Sequence, residues 1–520
     1  MVRLAGAKSA STTADASGRY SISGLSNGSY TVAPSLAGHT FTPSSRSVTV
    51  NGADVPGQDF TADAATNTYT ISGTVSGAST VTVALTGATT ASTTTDASGN
   101  YSFKGLSNGS YTVTPSLAGR TFTPSSRSVI VNGADMPNQS YNADDTPWVG
   151  TWATGPQLTE DSNNPPVSLT NSTLRQVVHV SIGGSRLRLK LTNAYGNGPV
   201  ELREVHLART AGTNPGSVIV PETDKALTFG GSASVTIAAG TAATSDPLDF
   251  AVPEATNLTI SIAFGATPTG ITGHPGSRTT SYIVSGNATA SQTLTSPATT
   301  AHWYYIQSID VKAPAPSRAI AILGDSITDG RGSTTDGNNR WPDDLALRLL
   351  ANDSTKDVAV LNLGIGGNTV LSGGLGPTAN ARFDSDILGQ SGVKYVVILE
   401  GVNDLGYAPS QQVATDLIAA YQTFISKAHA KGLKIYGSPI MPFKGSGYYT
   451  EEHETARRTV NTWIRTSGSF DAVVDLDAAV RDPAQTDTLL PAYDSGDHLH
   501  LSVAGLQATA NAIDLSLFAQ

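Results

Sequence analysis

Five apolar stretches alternate with helical stretches in the C-terminal part of the chain, and this alternation constrains the fold more than any other feature. The five stretches read AIAIL (319–323), DVAVLNL (357–363), KYVVILE (394–400), LKIYGS (433–438) and AVVDL (472–476). Helical patterns occur at 341–352, at 411–431, where Gly432 is expected to end the helix, and at 451–466. A last helix is predicted to begin near Ser502, a good N-cap residue. Strands that are apolar throughout are buried on both faces, so the sequence predicts a parallel sheet covered by helices on both sides.

The N-terminal part of the chain contains an internal repeat. Residues 12–63 align without a gap with residues 93–144, each position matching the one 81 residues later. Short alternating stretches separated by Asn-Gly and Ser-Gly turns predict a small antiparallel β-sandwich in each copy. Met1 aligns with Thr82, so the first copy lacks the counterpart of 69–81, and we expect the native protein to extend further N-terminally.

Residues 146–312 have a different, β-rich pattern, with WVGTWATG at the start and HWYYIQSIDV near the end. A β-sandwich or jelly-roll is expected here, packed on the α/β region. Its polar loop 269–282 is expected to reach the edge of the parallel sheet where a ligand would bind. The stretch KAPAPS (312–317) predicts a linker. We therefore predict four domains: a truncated β-sandwich repeat at 1–63, a second repeat at 64–145, a jelly-roll-like domain at 146–312 and an α/β domain at 313–520.

Composition excludes several classes of protein. The 520 residues include no cysteine, so the chain has no disulfide, no thiolate metal site and no cysteine nucleophile. The net charge of −10 and the absence of a basic run argue against nucleic acid or an anionic membrane as partner. No apolar stretch approaches the roughly 18 residues that span a bilayer. No His/Glu cluster has metal-ligand spacing, so no metal and no organic cofactor is expected.

Ser326 follows the first predicted strand directly, in the turn GDSITDG (324–330). In a parallel α/β sheet, ligands bind beyond the carboxyl ends of the strands, so this serine lies where a site is expected. A serine hydroxyl becomes a nucleophile when a base takes its proton and a third group orients that base. The alternative is a strand-to-helix turn in which Asp325 or Ser326 caps the helix.

Two further polar segments follow the second and third predicted strands. Gly366 and Gly367, in NLGIGGNTV, let the backbone approach a ligand closely. Asn403, in VVILEGVNDLG, supplies a neutral amide donor. Backbone and side-chain donors of these kinds stabilise an oxyanion. The alternative is that the two glycines only form a Gly-rich turn and that Asn403 only forms an Asn-Asp turn.

A candidate base lies near the C-terminus, in YDSGDHLHLSVAGL (493–506). Asp497 and His500 are three residues apart, which folds a turn in which the carboxylate reaches one imidazole nitrogen and leaves the other free to face Ser326. His498 is a rival base, but its position next to Asp497 points its ring away. Asp494 is an alternative to Asp497 as the orienting carboxylate.

In this order, GDSITDG, the Gly of IGGNT, GVND and DHLH resemble the four sequence blocks of the SGNH (GDSL) hydrolase superfamily. The resemblance covers residues 317–520 and implies a flavodoxin-like α/β/α three-layer fold. It also implies a serine ester hydrolase that works through an acyl-enzyme, with Ser326, Asp497 and His500 as the catalytic residues.

The same resemblance assigns roles to the remaining polar residues. It implies an oxyanion hole formed by the amide of Ser326, the amide of Gly367 and the side chain of Asn403. Asp325 and Asp404 are then hydrogen-bonding residues that hold the structure. No metal takes part in this chemistry.

The segments WVGTWATG, GDSITDGRGSTTDGNNRWPDDL and ILEGVND resemble a subgroup of these hydrolases, mostly secreted acylhydrolases with a β-rich domain. The subgroup implies a short acyl ester on a polysaccharide or oligosaccharide, with acetyl as the expected acyl group. Arg340 and Trp341 are candidate substrate-binding residues, unless the tryptophan packs at a helix start. A generalist arylesterase or short-chain lipase is the alternative enzyme, and a surface adhesin with a vestigial hydrolase domain is the non-enzyme alternative.

The two repeats resemble carboxypeptidase-regulatory-like or Cna-B-like sandwiches of bacterial surface and secreted proteins. The resemblance implies a spacer or carbohydrate-binding role and a secreted or cell-surface location. Each copy contains GLSNG, at 24–28 and 105–109, which matches the G-x-S-x-G nucleophile motif. Because no helix is predicted after either segment, both are predicted to be hairpin turns without a catalytic role.

Overall fold

The computed structural model of the protein describes residues 1–36, 39–64, 68–117, 120–144, 146–212, 216–407 and 411–519. The chain forms two compact units, residues 1–145 and residues 146–520. The boundary predicted at 312/313 lies inside the second unit, so the β-rich region and the α/β region are parts of one body. The division into four domains stays a prediction from the sequence.

A five-stranded parallel sheet forms the centre of the α/β region, which confirms the predicted fold class. Its strands are β1 (Arg318–Gly324), β2 (Val358–Gly364), β3 (Val393–Leu399), β4 (Lys434–Gly437) and β5 (Ala472–Val473), in the order β2-β1-β3-β4-β5. Gly324 pairs with Gly364 on one side and Leu399 on the other, so three strands end together at one edge. β5 is shorter than predicted because Asp475 already caps the next helix.

Helices cover this sheet. They are α1 (Ser326–Asp329), α2 (Trp341–Leu350), α3 (Ala379–Arg382), α4 (Val402–Tyr407), α5 (Gln411–Ala430), α6 (Glu451–Thr466), α7 (Leu476–Val480) and α8 (Val503–Asn511). A π-helix continues α3 at Phe383–Leu388, and a 3-10 helix lies at Leu515–Phe518. α2 packs with α8, and α5 packs with α6. Their ends follow the sequence signals: Gly432 has φ +69° after α5, and the Ser502 side chain accepts from the Gly505 N–H before α8.

Residues 146–312 form antiparallel sheets, as predicted for this region. One sheet contains Trp148–Ala153, Gly184–Thr192, Ala242–Thr244, Leu248–Val252 and Ile306–Lys312. A second contains Gln157–Leu158, Thr272–His274 and Trp303–Tyr304. A third contains Ser172–Val180, Val200–Arg209, Lys225–Ala226, Val235–Ile237, Thr256–Phe264, Ser281–Ser285 and Ala298–Thr300. Two 3-10 helices, Asp161–Asn163 and Pro221–Thr223, lie in the connections.

The β-rich region covers the free edge of the parallel sheet. β2 is an edge strand, and the N–H of its Val360 donates to the Ser181 hydroxyl at 3.2 Å. The N–H of Gly150 donates to the Ser391 carbonyl at 2.9 Å, just before β3. Apolar side chains of both regions form one continuous core. The edge strand therefore has partners that keep it from pairing with another chain.

The two repeats differ in how many strands they form. The second copy has two four-stranded sheets, Asn100–Leu106, Tyr69–Ser76, Tyr141–Asp144 and Thr121–Thr123 in one, and Arg127–Val131, Gly109–Ser116, Thr82–Gly87 and Ala91–Thr94 in the other. The first copy has one such sheet, Val2–Gly6, Ala10–Thr12, Gly28–Pro34 and Arg46–Val50, and a pair, His39–Thr42 and Thr61–Ala64.

The missing strands have one cause. In the second copy, Tyr69–Ser76 pairs with both of its neighbours, and the first copy begins after the corresponding position. Without that central strand, residues 19–25 remain irregular, although the matching residues 100–106 form a strand. In the second copy, GLSNG (105–109) crosses from one sheet to the other, so the prediction of a hairpin turn was wrong there.

Among the described residues, no helix has both the length and the apolar character needed to cross a membrane.

Candidate active site

Ser326 is the first residue of α1, at the edge where the central strands end. The preceding Asp325 caps the helix, because its side chain accepts from the Ile327 N–H at 2.9 Å. A Cβ at Gly324 would collide with the Thr328 side chain, so glycine is required where β1 meets the helix. α1 ends after one turn at Gly330, which has φ +102°. The Gly-Asp-Ser turn thus combines the capping role with the placement of a hydroxyl beyond the sheet.

The structure brings Ser326, His500 and Asp497 together. Ser326 Oγ lies 2.8 Å from His500 Nε2, and His500 Nδ1 lies 2.7 Å from Asp497 Oδ2. The N–H groups of Leu499 and His500 donate to the other carboxylate oxygen, Asp497 Oδ1, at 3.1 and 2.8 Å. Because a carboxylate only accepts, Nδ1 carries the proton and Nε2 is left to accept from the serine hydroxyl. The spacing of three residues therefore produces the turn that the sequence predicted.

The protonation of this pair suits a base. Burial lowers the pKa of His500 and outweighs the neighbouring Asp497, which raises it; the charges of Arg331 and Arg278 lower it further. Partial burial works against ionisation of Asp497, but the hydrogen bonds from the His500 backbone and side chain hold its pKa well below the usual range. A neutral imidazole therefore faces an ionised carboxylate at neutral pH.

The rival residues form a separate pair. Asp494 Oδ2 lies 2.5 Å from His498 Nδ1, and the imidazole of His498 is about half exposed. His498 also has φ +58°, in the left-handed region of the backbone. Asp494 is thus engaged by a neighbouring histidine, and Asp497 is the carboxylate that contacts His500.

The candidate oxyanion donors lie at the same edge. Gly367 has φ +70°, and its N–H and that of Ser326 donate to no other described residue. Asn403, at the start of α4, donates from Nδ2 to the Asn368 carbonyl at 2.7 Å and accepts at Oδ1 from the Tyr448 hydroxyl at 3.0 Å. These two bonds fix the orientation of the amide and leave one N–H of Nδ2 unused.

Asp404 and Asp325 make hydrogen bonds to the backbone. Asp404 accepts from the N–H groups of Val370 and Leu371 at 2.8 and 2.9 Å, which holds the loop after β2. Burial raises the pKa of Asp325 to about 7 and that of Asp404 to about 6. The charge of Asp404 raises the pKa of Asp325 further. The two carboxyl groups therefore act on the site by holding its backbone and through their charge.

Arg382 and Glu400 belong to this buried layer and were not predicted. Arg382 donates to the carbonyls of Leu363 and Gly324 at 2.5 and 3.1 Å, and to the Asn368 side chain at 3.0 Å. It thereby ties together the ends of β1 and β2 and the loop that holds Gly367. Glu400 lies 3.7 Å from the guanidinium, and burial raises its pKa well above the usual value. An acidic residue ending the apolar stretch KYVVILE was the one signal in the sequence.

A contact from the β-rich region reaches the helix that carries Ser326. His274 Nε2 lies 2.9 Å from Asp329 Oδ1, and His274 Nδ1 lies 2.8 Å from the Gly155 carbonyl. Both side chains are almost fully buried. A Cβ at Gly276 would collide with Asp329, so the loop packs tightly on α1. The predicted loop 269–282 therefore lies against the helix of the candidate nucleophile.

The prediction that Arg340 and Trp341 bind substrate was wrong, because both side chains are buried. Trp341 is 0 % exposed and packs in the core at the start of α2. Arg340 caps the same helix, pairs with Asp343 at 2.7 Å and lies over the Trp303 ring at 5.7 Å. Neither side chain has a surface to offer a sugar, and the alternative of tryptophan packing at a helix start describes the structure.

The described residues include no group of three or more His, Asp or Glu side chains arranged to hold a metal ion. The reacting groups that the geometry offers are a hydroxyl, an imidazole, a carboxylate and amide donors.

Comparison with protein families identifies two regions. Residues 322–508 match the model of the GDSL-like lipase/acylhydrolase family. Residues 61–146 match the model of the SdrD B-like domain. No curated protein sequence matches the chain. The first match contains Ser326, Gly367, Asn403, Asp497 and His500, and the second corresponds to the more complete of the two repeats.

The similar solved structures cover between a third and a half of the chain. One is a protein assigned to the G-D-S-L family of lipolytic proteins from Desulfitobacterium hafniense, 18% identical, with 38% of this chain and 97% of that chain covered and a TM-score of 0.30. Another is the acetylxylan esterase Axe2 from Geobacillus stearothermophilus, 22% identical, with coverages of 38% and 91% and a TM-score of 0.29.

Proposed function

Because the C-terminal region of this chain is a GDSL-like lipase/acylhydrolase domain and thus an ester hydrolase, we propose that Ser326 is its nucleophile, His500 its general base and Asp497 the orienting carboxylate. The observation that carries this assignment is the unbroken relay from Ser326 Oγ through the imidazole to Asp497, with both links under 3 Å. Serine hydrolases on unrelated folds use the same constellation.

The reaction then follows from the geometry. Ser326 Oγ attacks the ester carbonyl carbon while His500 Nε2 takes the hydroxyl proton. The ester C–O bond breaks, the alcohol leaves with the proton held by His500, and the acyl group stays on Ser326. Water attacks the acyl-enzyme, gives a proton to His500 and releases the acid, and Ser326 recovers its proton.

The oxyanion of each tetrahedral intermediate needs donors that are fixed beforehand. We assign this role to the amides of Ser326 and Gly367 and to the free N–H of Asn403 Nδ2. Asn403 is held by Asn368 and Tyr448, so its amide needs no reorganisation as negative charge develops.

The substrate that we propose is a short acyl ester, acetyl in the first instance, on a carbohydrate. The two segments beside the Ser326–His500 pair, 331–335 (RGSTT) and 495–498 (SGDH), are mostly exposed and contain no apolar side chain. Such surroundings suit a hydrated sugar better than a long acyl chain. The SdrD B-like domain fits a protein that works outside the cell, and we propose a secreted or cell-surface location.

The proposed function is tested by measuring acyl-chain preference and acetate release. Wild-type protein is expected to hydrolyse p-nitrophenyl acetate faster than the butyrate and octanoate esters, and to release acetate from acetylated oligosaccharides. A preference for octanoate would favour a lipase, and simple aryl esters as the only substrates would favour a generalist arylesterase. No turnover of any ester would contradict the assignment of Ser326 and His500.

A further inference from the structure

Two arginines act on the imidazole of His500 through their charges, one from each region of the second unit. Arg331 follows α1 directly, is exposed, and its N–H donates to the Ser326 carbonyl at 2.9 Å. The next residue, Gly332, packs so closely on the carbonyl of Leu501 that a Cβ there would collide with it. The backbone that carries Arg331 is therefore fixed against both the nucleophile turn and the histidine loop.

Arg278 comes from the loop of the β-rich region that packs on α1. Its carbonyl accepts from the Asp336 N–H at 2.9 Å, and Asp336 in turn accepts two bonds from Thr280, at 2.7 and 2.6 Å. Arg278 has φ +51°, in the left-handed region that disfavours residues with a Cβ. These bonds hold an unfavourable backbone conformation, and such strain is retained where the surroundings impose it.

Neither arginine is paired with a carboxylate among the described residues. The Nε of Arg278 is buried and has no hydrogen-bond acceptor there. Buried donors are normally satisfied, so this guanidinium N–H is able to donate to an acceptor that the described residues do not supply. The absence of a partner is conspicuous in a chain with 41 acidic and 31 basic residues.

The two positive charges also oppose the reaction in the absence of an anion. They lower the pKa of His500, whereas the acyl-transfer step turns this imidazole into an imidazolium. A negative group on the substrate would neutralise them and remove this penalty. An anionic substrate would therefore gain both in binding and in the chemical step.

We propose that Arg278 and Arg331 form a recognition site for a carboxylate on the alcohol part of the ester, as in the uronic acid units of an acidic polysaccharide. A planar guanidinium with several donors matches a carboxylate in geometry and charge. This inference rests on the proposed function, because it names the class of carbohydrate that the hydrolase would accept.

The test compares two substrates that differ in this charge alone. An acetylated galacturonate oligomer and its fully methyl-esterified form are each incubated with the full-length protein, and acetate release is measured. The acid form is expected to have a kcat/KM about tenfold or more above that of the methyl ester, since a charge-assisted pair is worth at least that factor. The preference should weaken as salt is added.

Variants separate the arginines from other causes. Arg331→Gln, a substitution at an exposed position, is expected to reduce the preference for the acid form severalfold. The double variant Arg278→Gln/Arg331→Gln is expected to bring the ratio of the two kcat/KM values close to one. Lys394→Gln removes an exposed charge near the amino end of β3, at the opposite edge of the sheet, and should leave the preference and the turnover of p-nitrophenyl acetate unchanged. Both arginine variants should also raise the pKa on the acid side of the p-nitrophenyl acetate profile.

The outcomes distinguish this inference from the function on which it rests. Equal rates for the acid and the methyl ester in wild-type protein that hydrolyses p-nitrophenyl acetate would overturn the carboxylate site alone. An unchanged preference in the double arginine variant would overturn it as well. Failure of wild-type protein to hydrolyse p-nitrophenyl acetate at all would overturn the proposed function instead.

Discussion

At the scale of single residues, each reacting group is held by a partner that leaves one atom free. His500 is fixed through Nδ1 by Asp497 and presents Nε2 to Ser326. Asn403 is fixed at both ends of its amide by Asn368 and Tyr448. Preorganised groups of this kind lower a barrier because they need not be reoriented during the reaction.

Asn403→Ala is expected to lower kcat for p-nitrophenyl acetate by about 10²–10³, the usual loss when one oxyanion donor is removed. Steady-state kinetics should show a much smaller change in KM, because the interaction is made in the transition state. Asn380→Ala, an exposed asparagine on α3, is the matched control and should have full activity. Retention of most activity in Asn403→Ala would remove this side chain from the oxyanion hole.

The pH profile follows from the pKa of His500. The base works in its neutral form, so kcat/KM should fall as the pH drops through a pKa that burial, Arg331 and Arg278 hold below the ordinary value of 6.5. Asp497→Asn removes the hydrogen bond and charge that raise this pKa. It should move the acid limb to still lower pH and lower the plateau by about 10⁴.

Asp494→Asn is the control for that measurement, because Asp494 contacts the exposed His498. Asp494→Asn should change neither the pH of the acid limb nor the plateau value of kcat/KM. An acid limb that moves upward in Asp497→Asn would contradict the assigned contact.

At the scale of elements, α1 is held by groups from the β-rich region as well as by its own strand. His274 is 55 residues before Asp329 in the chain and contacts it inside the second unit. The single turn of α1 is too short to be stable by itself, so its position depends on such tertiary contacts.

His274→Ala is expected to destabilise the second unit by about 1–3 kcal/mol, because it leaves the buried carboxyl group of Asp329 without its partner. Thermal unfolding of the full chain would show this as a lower Tm of that unit, with reduced esterase activity. Adding Asp329→Asn should recover part of the loss. His429→Ala, which breaks an exposed pair with Asp471, is expected to change the Tm little. A Tm unchanged by His274→Ala would show that the contact does not support α1.

The elements were also the best predicted part of the fold. Apolar stretches located four of the five parallel strands to within a residue or two, and Gly432 and Ser502 marked helix ends as predicted. β5 was predicted too long, since Asp475 serves as a cap.

Arg382 and His274 escaped prediction because their roles arise from contacts between distant segments. Arg382 lies on a one-turn helix, and His274 lies in a short β-strand. Trp341 was ambiguous because a sugar-stacking and a buried tryptophan look alike in sequence.

At the scale of the whole molecule, the chain separates into a unit of repeats and a unit that contains the entire candidate site. The β-rich region 146–312 is part of the second unit, shares its core and supplies His274 and Arg278. It therefore contacts the helix that carries Ser326, whereas residues 1–145 have two cores of their own.

Removal of residues 1–144 is expected to leave kcat/KM for p-nitrophenyl acetate within about twofold of the full-length value, because the second unit keeps its core and site intact. The same truncation should also leave the Tm of the second unit unchanged in calorimetry. A loss of tenfold or more would indicate that the repeats support the hydrolase directly.

Labelling with a phosphorylating ester analogue tests the central claim most directly, because it marks the activated nucleophile covalently. Intact mass spectrometry of wild-type protein treated with diethyl p-nitrophenyl phosphate should show one diethylphosphoryl group, located by peptide mapping on Ser326, with activity lost in proportion. Ser326→Ala should take up no label and hydrolyse no ester. A label on another residue, or hydrolysis that persists in Ser326→Ala, would contradict the account.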